Sequence, residues 1–500
     1  MFAIILLTLF LALMIGIGVW GMRRTTTLGD FFLGGRSMGP WISAIAYGTT
    51  YFSAVIFIGF AGKFGWTLGP SALWIAAGNV VFGSFLAWWV LGRRTRRMTQ
   101  NLDAMTMPEF LAERYQSKNL KLISAAIIFL FLLPYSASVF KGLGHLFEVS
   151  FNMSYDLALV IMILVTGIYL ILGGYFAVVI TDFVQGLIMI IGSIAMVAVL
   201  VGKGGGPAIV WHDIFANYAQ HIPPANQPGW LTLASLVFMT SFGVWGMPQM
   251  VQKFYAIKDE KTIRTAAVVT SLFALIITFS AYFTGALTHL FYSAVPLVNG
   301  QPNFDRLIPD LLTTHLSGGL LAVILVLVLS ASMSTLSSLV LVSSSAVAID
   351  MYKGHVNPNI SNKNSLAMMR FLNGVFILFS LLVAKYELAI IVTLMSLSWG
   401  AIAGSFMAPY VYGLFWKRAT RLGAEAGLFT GLALSIALFF ILGPANAPLA
   451  SSIAMLAPFV VIPLVSLFTR PPEPKLLDQA FENIEPGSQP PQTTKEPSRV

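Results

Sequence analysis

One carboxylate in this 500-residue chain stands where carboxylates are rarely tolerated. Asp182 falls in ILGGYFAVVITDFVQGLIMIIG, about a turn and a half into an apolar run, whereas the other nineteen of the twenty Asp and Glu residues fall in loops, in the tail or near run ends. A charge at such a depth in lipid costs several kcal/mol unless it faces a cavity or a partner, so Asp182 is a candidate ion or proton site. The alternative is a structural carboxylate that caps a neighbouring helix or stays protonated. A second polar concentration is LSASMSTLSSLVLVSSSAVAID, where Ser330, Ser334, Ser337 and Ser338 are spaced i, i+4, i+7, i+8 and share one helical stripe, with Thr335 at its edge. A single serine of this kind ordinarily packs and bonds back to its own i−4 carbonyl. Four on one face point towards a hard-cation site, because neutral oxygens at short range suit an alkali ion.

The elements that must position these groups are membrane helices. Apolar residues make up 57% of the chain and charged ones 10%, with a mean hydropathy of +0.81. That composition excludes an ordinary water-soluble domain. With no cysteine there is no disulfide, thiol catalysis or cysteine-ligated metal. Apolar runs long enough to cross a bilayer number thirteen: 2–21, 40–62, 70–92, 119–146, 155–173, 176–201, 229–252, 265–291, 316–349, 366–384, 388–414, 422–442 and 449–468. The first lacks a basic leader and a cleavage site, and reads as a retained helix. Of the 29 Lys and Arg, 24 fall on one side of this arrangement, and only Lys63, Lys141, Lys203, Arg306 and Lys385 fall on the other. The bias orients the chain with its N-terminus outside and its C-terminus cytoplasmic, in the cell membrane. Because the basic residues follow topology, they form no nucleic-acid groove.

Two spans are expected to break. The second, AYGTTYFSAVIFIGFAG, has glycines at 48, 59 and 62, and the seventh, TSFGVWGMPQM, has Gly243, Gly246 and Pro248 midway. Interrupted membrane helices are tolerable where the freed backbone lines a cavity, and such a pair in matching positions points to a transport site. The two lie five spans apart, which makes the halves an inverted repeat. The expected division is 1–39 as an extra N-terminal helix and cytoplasmic link, 40–201 as the first repeat, 202–228 as an outer loop, 229–415 as the second repeat, 416–470 as two C-terminal helices and 471–500 as a disordered cytoplasmic tail. The six histidines have no metal-ligand spacing and no catalytic constellation can be assembled, so no enzyme is expected.

The chain resembles the sodium:solute symporter family, which includes proline and pantothenate permeases, bacterial sialic acid transporters and sodium/glucose cotransporters. The resemblance covers about residues 27–420 and rests on GDFFLGGRSMGPW at 29–41, TTYFSAVIFIG at 49–59, GGYFAVVITDFVQG at 173–186, FGVWGMPQ at 242–249 and SMSTLSS at 332–338. It implies an all-α, leucine-transporter-like five-plus-five inverted repeat with one extra N-terminal and two extra C-terminal helices. It also implies a sodium site made by the carbonyls of Thr49, Phe52 and Ala331 and the hydroxyls of Ser334 and Thr335. Asp182, Ser337 and Ser338 correspond to a position that holds a second sodium in some members and serves as an ion path in others. Substrate would lie among Tyr51, Ser53, Tyr135, Thr240 and Val244. The chain departs from the proline permeases, which have an acidic residue at the place of Tyr51 and aromatic ones at Thr240 and Val244. It departs from the sialic acid transporters, which have an arginine near Tyr135.

The expectation is therefore a sodium-coupled symporter of a small organic solute, working by alternating access with Na+ as coupling ion. It needs no organic cofactor, no transition metal and no obligatory protein partner besides the bilayer. The alternatives are a proton-coupled or uncoupled transporter of the same fold using Asp182, and a membrane solute sensor that moves nothing.

Overall fold

The computed structural model describes residues 2–22, 28–172, 175–298 and 300–484, and apart from the two-residue strands Leu297–Val298 and Gln301–Pro302 its regular structure is helical. Arg23, Arg24, Gly173, Gly174, Lys495 and Arg499 lie outside the described residues, as does the tail beyond residue 484. Among the described residues ten helices are long and apolar enough to cross a membrane, or eleven if Trp230–Gly246 and Pro248–Tyr255, bent by 49°, form one span. The thirteen expected runs fall on helices apart from their ends and breaks, but two are not counted separately: of the fifth only Tyr155–Leu164 stands as a shorter apolar helix, and the second and third merge. Val55–Asn101 is one helical run of 47 residues that takes in the end of the second expected span and all of the third. The chain turns within it at Gly69, whose φ of +54° only glycine adopts without strain, and Pro70 follows.

The core sits around two helices. Ile391–Phe415 has 94% of its apolar stretch buried and Gly318–Val356 has 78%, while Phe2–Gly21 and Arg421–Leu442, each at 22%, stand at the rim. Small residues set the closest approaches, as membrane packing without a hydrophobic drive requires. A Cβ on Gly65 would stand 2.3 Å from Gly285 Cα, so Ala61–Leu68 and Lys261–Phe291 meet backbone to backbone.

Both interrupted helices are present, and one breaks where its glycines do not predict. Pro40–Tyr51 ends at Phe52 and Ser53, and helix resumes at Ala54. The three glycines instead make room for neighbours: Gly48 for Phe273, Gly59 for Ile391 and Gly62 for the Phe304 carbonyl. The second interruption falls as expected, with Trp230–Phe242 passing through a tight turn at Gly243–Gly246 into Pro248–Tyr255. Next to these helices the two halves are joined by main chain, since Met38 N donates to Ala256 O at 3.2 Å and Lys258 N to Met38 O at 3.0 Å. Arg36, from the 29–41 motif, fixes that junction by donating to Ala104 O at 2.9 Å, Thr99 Oγ1 at 3.1 Å and Tyr255 O at 3.3 Å.

Two connecting segments are more ordered than their composition suggests. The connecting segment 202–228 contains the helix Pro207–His221, with Pro at its first position. The start of the tail also folds, as Pro474–Ala480 is helical and docks through Asn101 Nδ2, which donates to Glu482 O at 2.9 Å and Ala480 O at 3.2 Å.

Candidate functional site

At the first break the backbone bonds that a continuous helix would make go elsewhere. Ala54 N bonds Ser332 Oγ at 3.3 Å, Val55 N bonds Ser53 Oγ at 3.2 Å and Ile56 N bonds Ser53 O at 3.1 Å. The carbonyls of Thr50, Tyr51 and Phe52 thereby lose their helical partners. Thr335, on Gly318–Ser345, points its hydroxyl into this gap: Oγ1 lies 3.1 Å from Thr50 O, 3.4 Å from Thr49 O and 3.2 Å from Ala331 O. One hydroxyl proton serves one acceptor, so carbonyl capacity is left over. The Ser334 hydroxyl, one residue away, is buried and faces Asp182. Surplus carbonyls and buried hydroxyls, all uncharged oxygens, are a donor set that fits an alkali cation. The structure thus brings together Thr49, Ala331 and Thr335, sets Ser334 beside them and Phe52 at the break itself, and adds the Thr50 carbonyl.

The remaining hydroxyls of the stripe divide. Ser330 is buried and unpartnered, while Ser337 Oγ bonds back to Ser334 O at 2.8 Å, the ordinary structural use of a helical serine. Ser338 Oγ meets Thr50 Oγ1 at 3.1 Å. Asp182 is fully buried, and Lys253 Nζ stands 3.3 Å from its Oδ2 and 3.3 Å from Ser338 Oγ. Lys253 was expected among the loop cations. It is 1% exposed because the broken helix carries it inward to a carboxylate.

Beside the break lies a cavity lined by Tyr51, Ser53, Tyr135 and Thr240, as the sequence suggests. Val244 does not line it. It is buried in the tight turn, a turn beyond Thr240. Asn79 organises the polar wall: its Oδ1 accepts from Thr240 Oγ1 at 2.9 Å and Ser241 Oγ at 3.1 Å, with Tyr51 Oη 3.3 Å away. Tyr51 Oη also donates to Thr240 O at 2.5 Å, which ties the two interrupted helices across the cavity. Trp399 forms the other wall, its ring stacked 6.3 Å from Tyr51 and edge-on 5.9 Å from Tyr135. Asn79, Tyr282 and Trp399 were not singled out from the sequence. A polar Asn79 inside an apolar run was the one available signal. The cavity offers ≈ 20 Å³ to the centre of a water-sized sphere, about what one water needs.

Helices interrupted in pairs around such a cavity are how ion-coupled secondary carriers are built, and that is the class this fold and site define. The chain belongs to the sodium:solute symporter family, whose model matches residues 31–431. It is 31% identical over 447 residues to the osmoregulated proline transporter OpuE of Bacillus subtilis, covering 86% of this chain and 87% of that protein. It is 30% identical over 437 residues to a sodium/proline symporter of Staphylococcus aureus, covering 85% and 84%. Among solved structures, a substrate-bound, outward-open Na+-coupled sialic acid symporter superposes with a TM-score of 0.77 at 19% identity, over 95% of this chain and 99% of that one. The nucleobase-cation-symport-1 family transporter Mhp1 in a closed conformation superposes at 0.52 and 13% identity, over 90% and 97%. The fold is the leucine-transporter-like inverted repeat, and the protein is a multi-pass membrane carrier that couples Na+ to movement of a small solute.

Proposed function

We propose that one sodium ion binds between the first interrupted helix and Gly318–Ser345, held by the carbonyls of Thr49, Phe52 and Ala331 and the hydroxyls of Ser334 and Thr335. The observation that carries this reading is the Thr335 hydroxyl beside the Thr50 carbonyl, which the break releases, with the Thr49 and Ala331 carbonyls also in reach. Sodium there favours the outward-open state and shapes the adjoining cavity, and ion and solute then enter together as the repeats rock. The solute is a small, net-neutral or zwitterionic organic molecule. Supporting this, none of the cavity-lining residues is an Asp, Glu, Lys, Arg or His, while Asn79, Tyr51 and Thr240 offer hydrogen bonds and Trp399 an apolar face. The N-terminus is outside and the C-terminus cytoplasmic. The protein is no enzyme, and uses neither an organic cofactor nor an obligatory protein partner.

The energetics suffice for import. A tenfold sodium gradient supplies about 1.4 kcal/mol and a 100 mV potential about 2.3 kcal/mol per charge, so one ion concentrates a neutral solute several hundred-fold. Proline is the first solute to test, because it is named for the relatives. In proteoliposomes, replacing sodium by choline at fixed pH is expected to abolish concentrative uptake, which separates sodium coupling from proton coupling through Asp182. The variant Ser334→Ala/Thr335→Ala is expected to remain folded and lose sodium stimulation. Wild-type stimulation in that variant would refute the site.

A further inference from the structure

The pocket around Asp182 already contains a cation of the chain's own. Lys253 reaches it from Pro248–Tyr255, just past the second interruption, and its ammonium meets three kinds of partner. These are the carboxylate of Asp182 at 3.3 Å, the hydroxyl of Ser338 at 3.3 Å and the face of Tyr175, whose centroid is 5.2 Å away. Carboxylate, hydroxyl and π face are what a small cation would otherwise draw from this place. The pair is electrically neutral and almost fully buried. A metal ion added beside it would meet an unscreened like charge at close range. Removing the ammonium alone would leave a buried carboxylate, with the Ser334 and Ser338 hydroxyls near it, in need of a counter-ion.

We propose that the Lys253 ammonium is a tethered cation that fills the Asp182 pocket in place of a second sodium, so that the chain binds a single coupling ion. The identity of that one ion's site rests on the reading given above; the role of the lysine does not. Because the tether is covalent, this cation crosses no membrane and takes nothing from the ion gradient. It also joins three helices, since Lys253, Asp182 and Ser338 belong to Pro248–Tyr255, Tyr175–Lys203 and Gly318–Ser345. One interrupted helix is thereby held to the body that carries the Thr335 hydroxyl.

The test counts radioactive sodium bound per purified full-length chain, with sodium alone as the probe. Wild type is expected to bind one ion, Lys253→Met two, and Lys253→Met/Asp182→Asn one. Adding Thr335→Ala, which leaves the Asp182 pocket intact, to Lys253→Met should return the count to one, held at Asp182. Two ions on the wild type, or no ion gained by Lys253→Met, overturns the proposal. No ion on the wild type with one on Lys253→Met sinks the Thr335 site and upholds the lysine. Should Lys253→Met fold only when sodium is present, the requirement itself supports the proposal, and a requirement met equally by choline overturns it. The neutral pair variant removes both charges and controls for folding.

Discussion

At the scale of single residues, the cavity is held by a carboxamide that gathers hydroxyls from both halves of the chain. Asn79 Oδ1 lies within reach of the hydroxyls of Thr240, Ser241 and Tyr51, all buried. Replacing it with alanine strands Ser241, while Thr240 and Tyr51 keep the carbonyls of Leu236 and Thr240, and a buried polar group so stranded costs about 1–3 kcal/mol. Asn79→Ala is therefore expected to melt at a lower temperature in detergent and to show a raised KM for solute with less change in kcat. Tyr51→Phe keeps the ring stacked on Trp399 and loses the bond to Thr240 O together with the approach to Asn79 Oδ1. Its thermal midpoint should fall less than that of Asn79→Ala. Asp182 and the hydroxyls of Ser334 and Thr335 could be picked from the sequence because polarity inside an apolar run is conspicuous. Lys253 could not, because a lysine near a run end looks like every loop cation until the fold carries it inward.

At the scale of elements, the useful distinction is between a glycine that bends a helix and one that lets a neighbour in. The second interruption was readable, since Gly243, Gly246 and Pro248 remove side chains and a donor within six residues. The first was readable as an interruption but not in its place. It falls at Phe52 and Ser53, where Ser53 and Ser332 satisfy the amide groups that a continuous helix would have bonded. The bond to Ser332 is long-range and leaves no local mark. The glycines of the same span are contact points, and so is Gly285. A Cβ there would stand 2.2 Å from Ala61 O, which a backbone cannot evade by a rotamer change. Gly285→Ala is expected to cost about 1–3 kcal/mol through overpacking, read as a lower thermal midpoint, and to slow uptake without altering sodium affinity.

At the scale of the whole molecule, charge placement does more than set orientation. Arg114 is fully buried and donates to Gly413 O at 2.9 Å and Trp416 O at 3.1 Å, closing the C-terminal end of the central Ile391–Phe415 helix. Near the other end of that helix, Lys141 pairs with Asp305 at 3.1 Å, and Asp305 Oδ2 accepts from Ile391 N at 3.1 Å. Glu387, just before the same helix, lies 3.2 Å from His145 Nε2. The bond from His145 holds the Glu387 carboxyl below its ordinary range. A carboxyl so lowered adds stability above its unfolded pKa of about 4.3 and loses it as pH falls through the folded value. Glu387→Gln should therefore melt below wild type at neutral pH, with the difference closing below about pH 4. The spans were legible because hydropathy reports them directly. Their exact count was not, because a turn at Gly69 hides inside continuous helix and the fifth run stands only as the shorter helix Tyr155–Leu164.

Where Gly65 and Gly285 touch there is no side chain to serve as a bearing. Two surfaces in that relation slip past each other only by first lifting apart. The arm of the first interrupted helix beyond its break must then travel with Lys261–Phe291 as one strut, and any hinge in that helix is confined to the short stretch at Phe52 and Ser53 upstream of the weld.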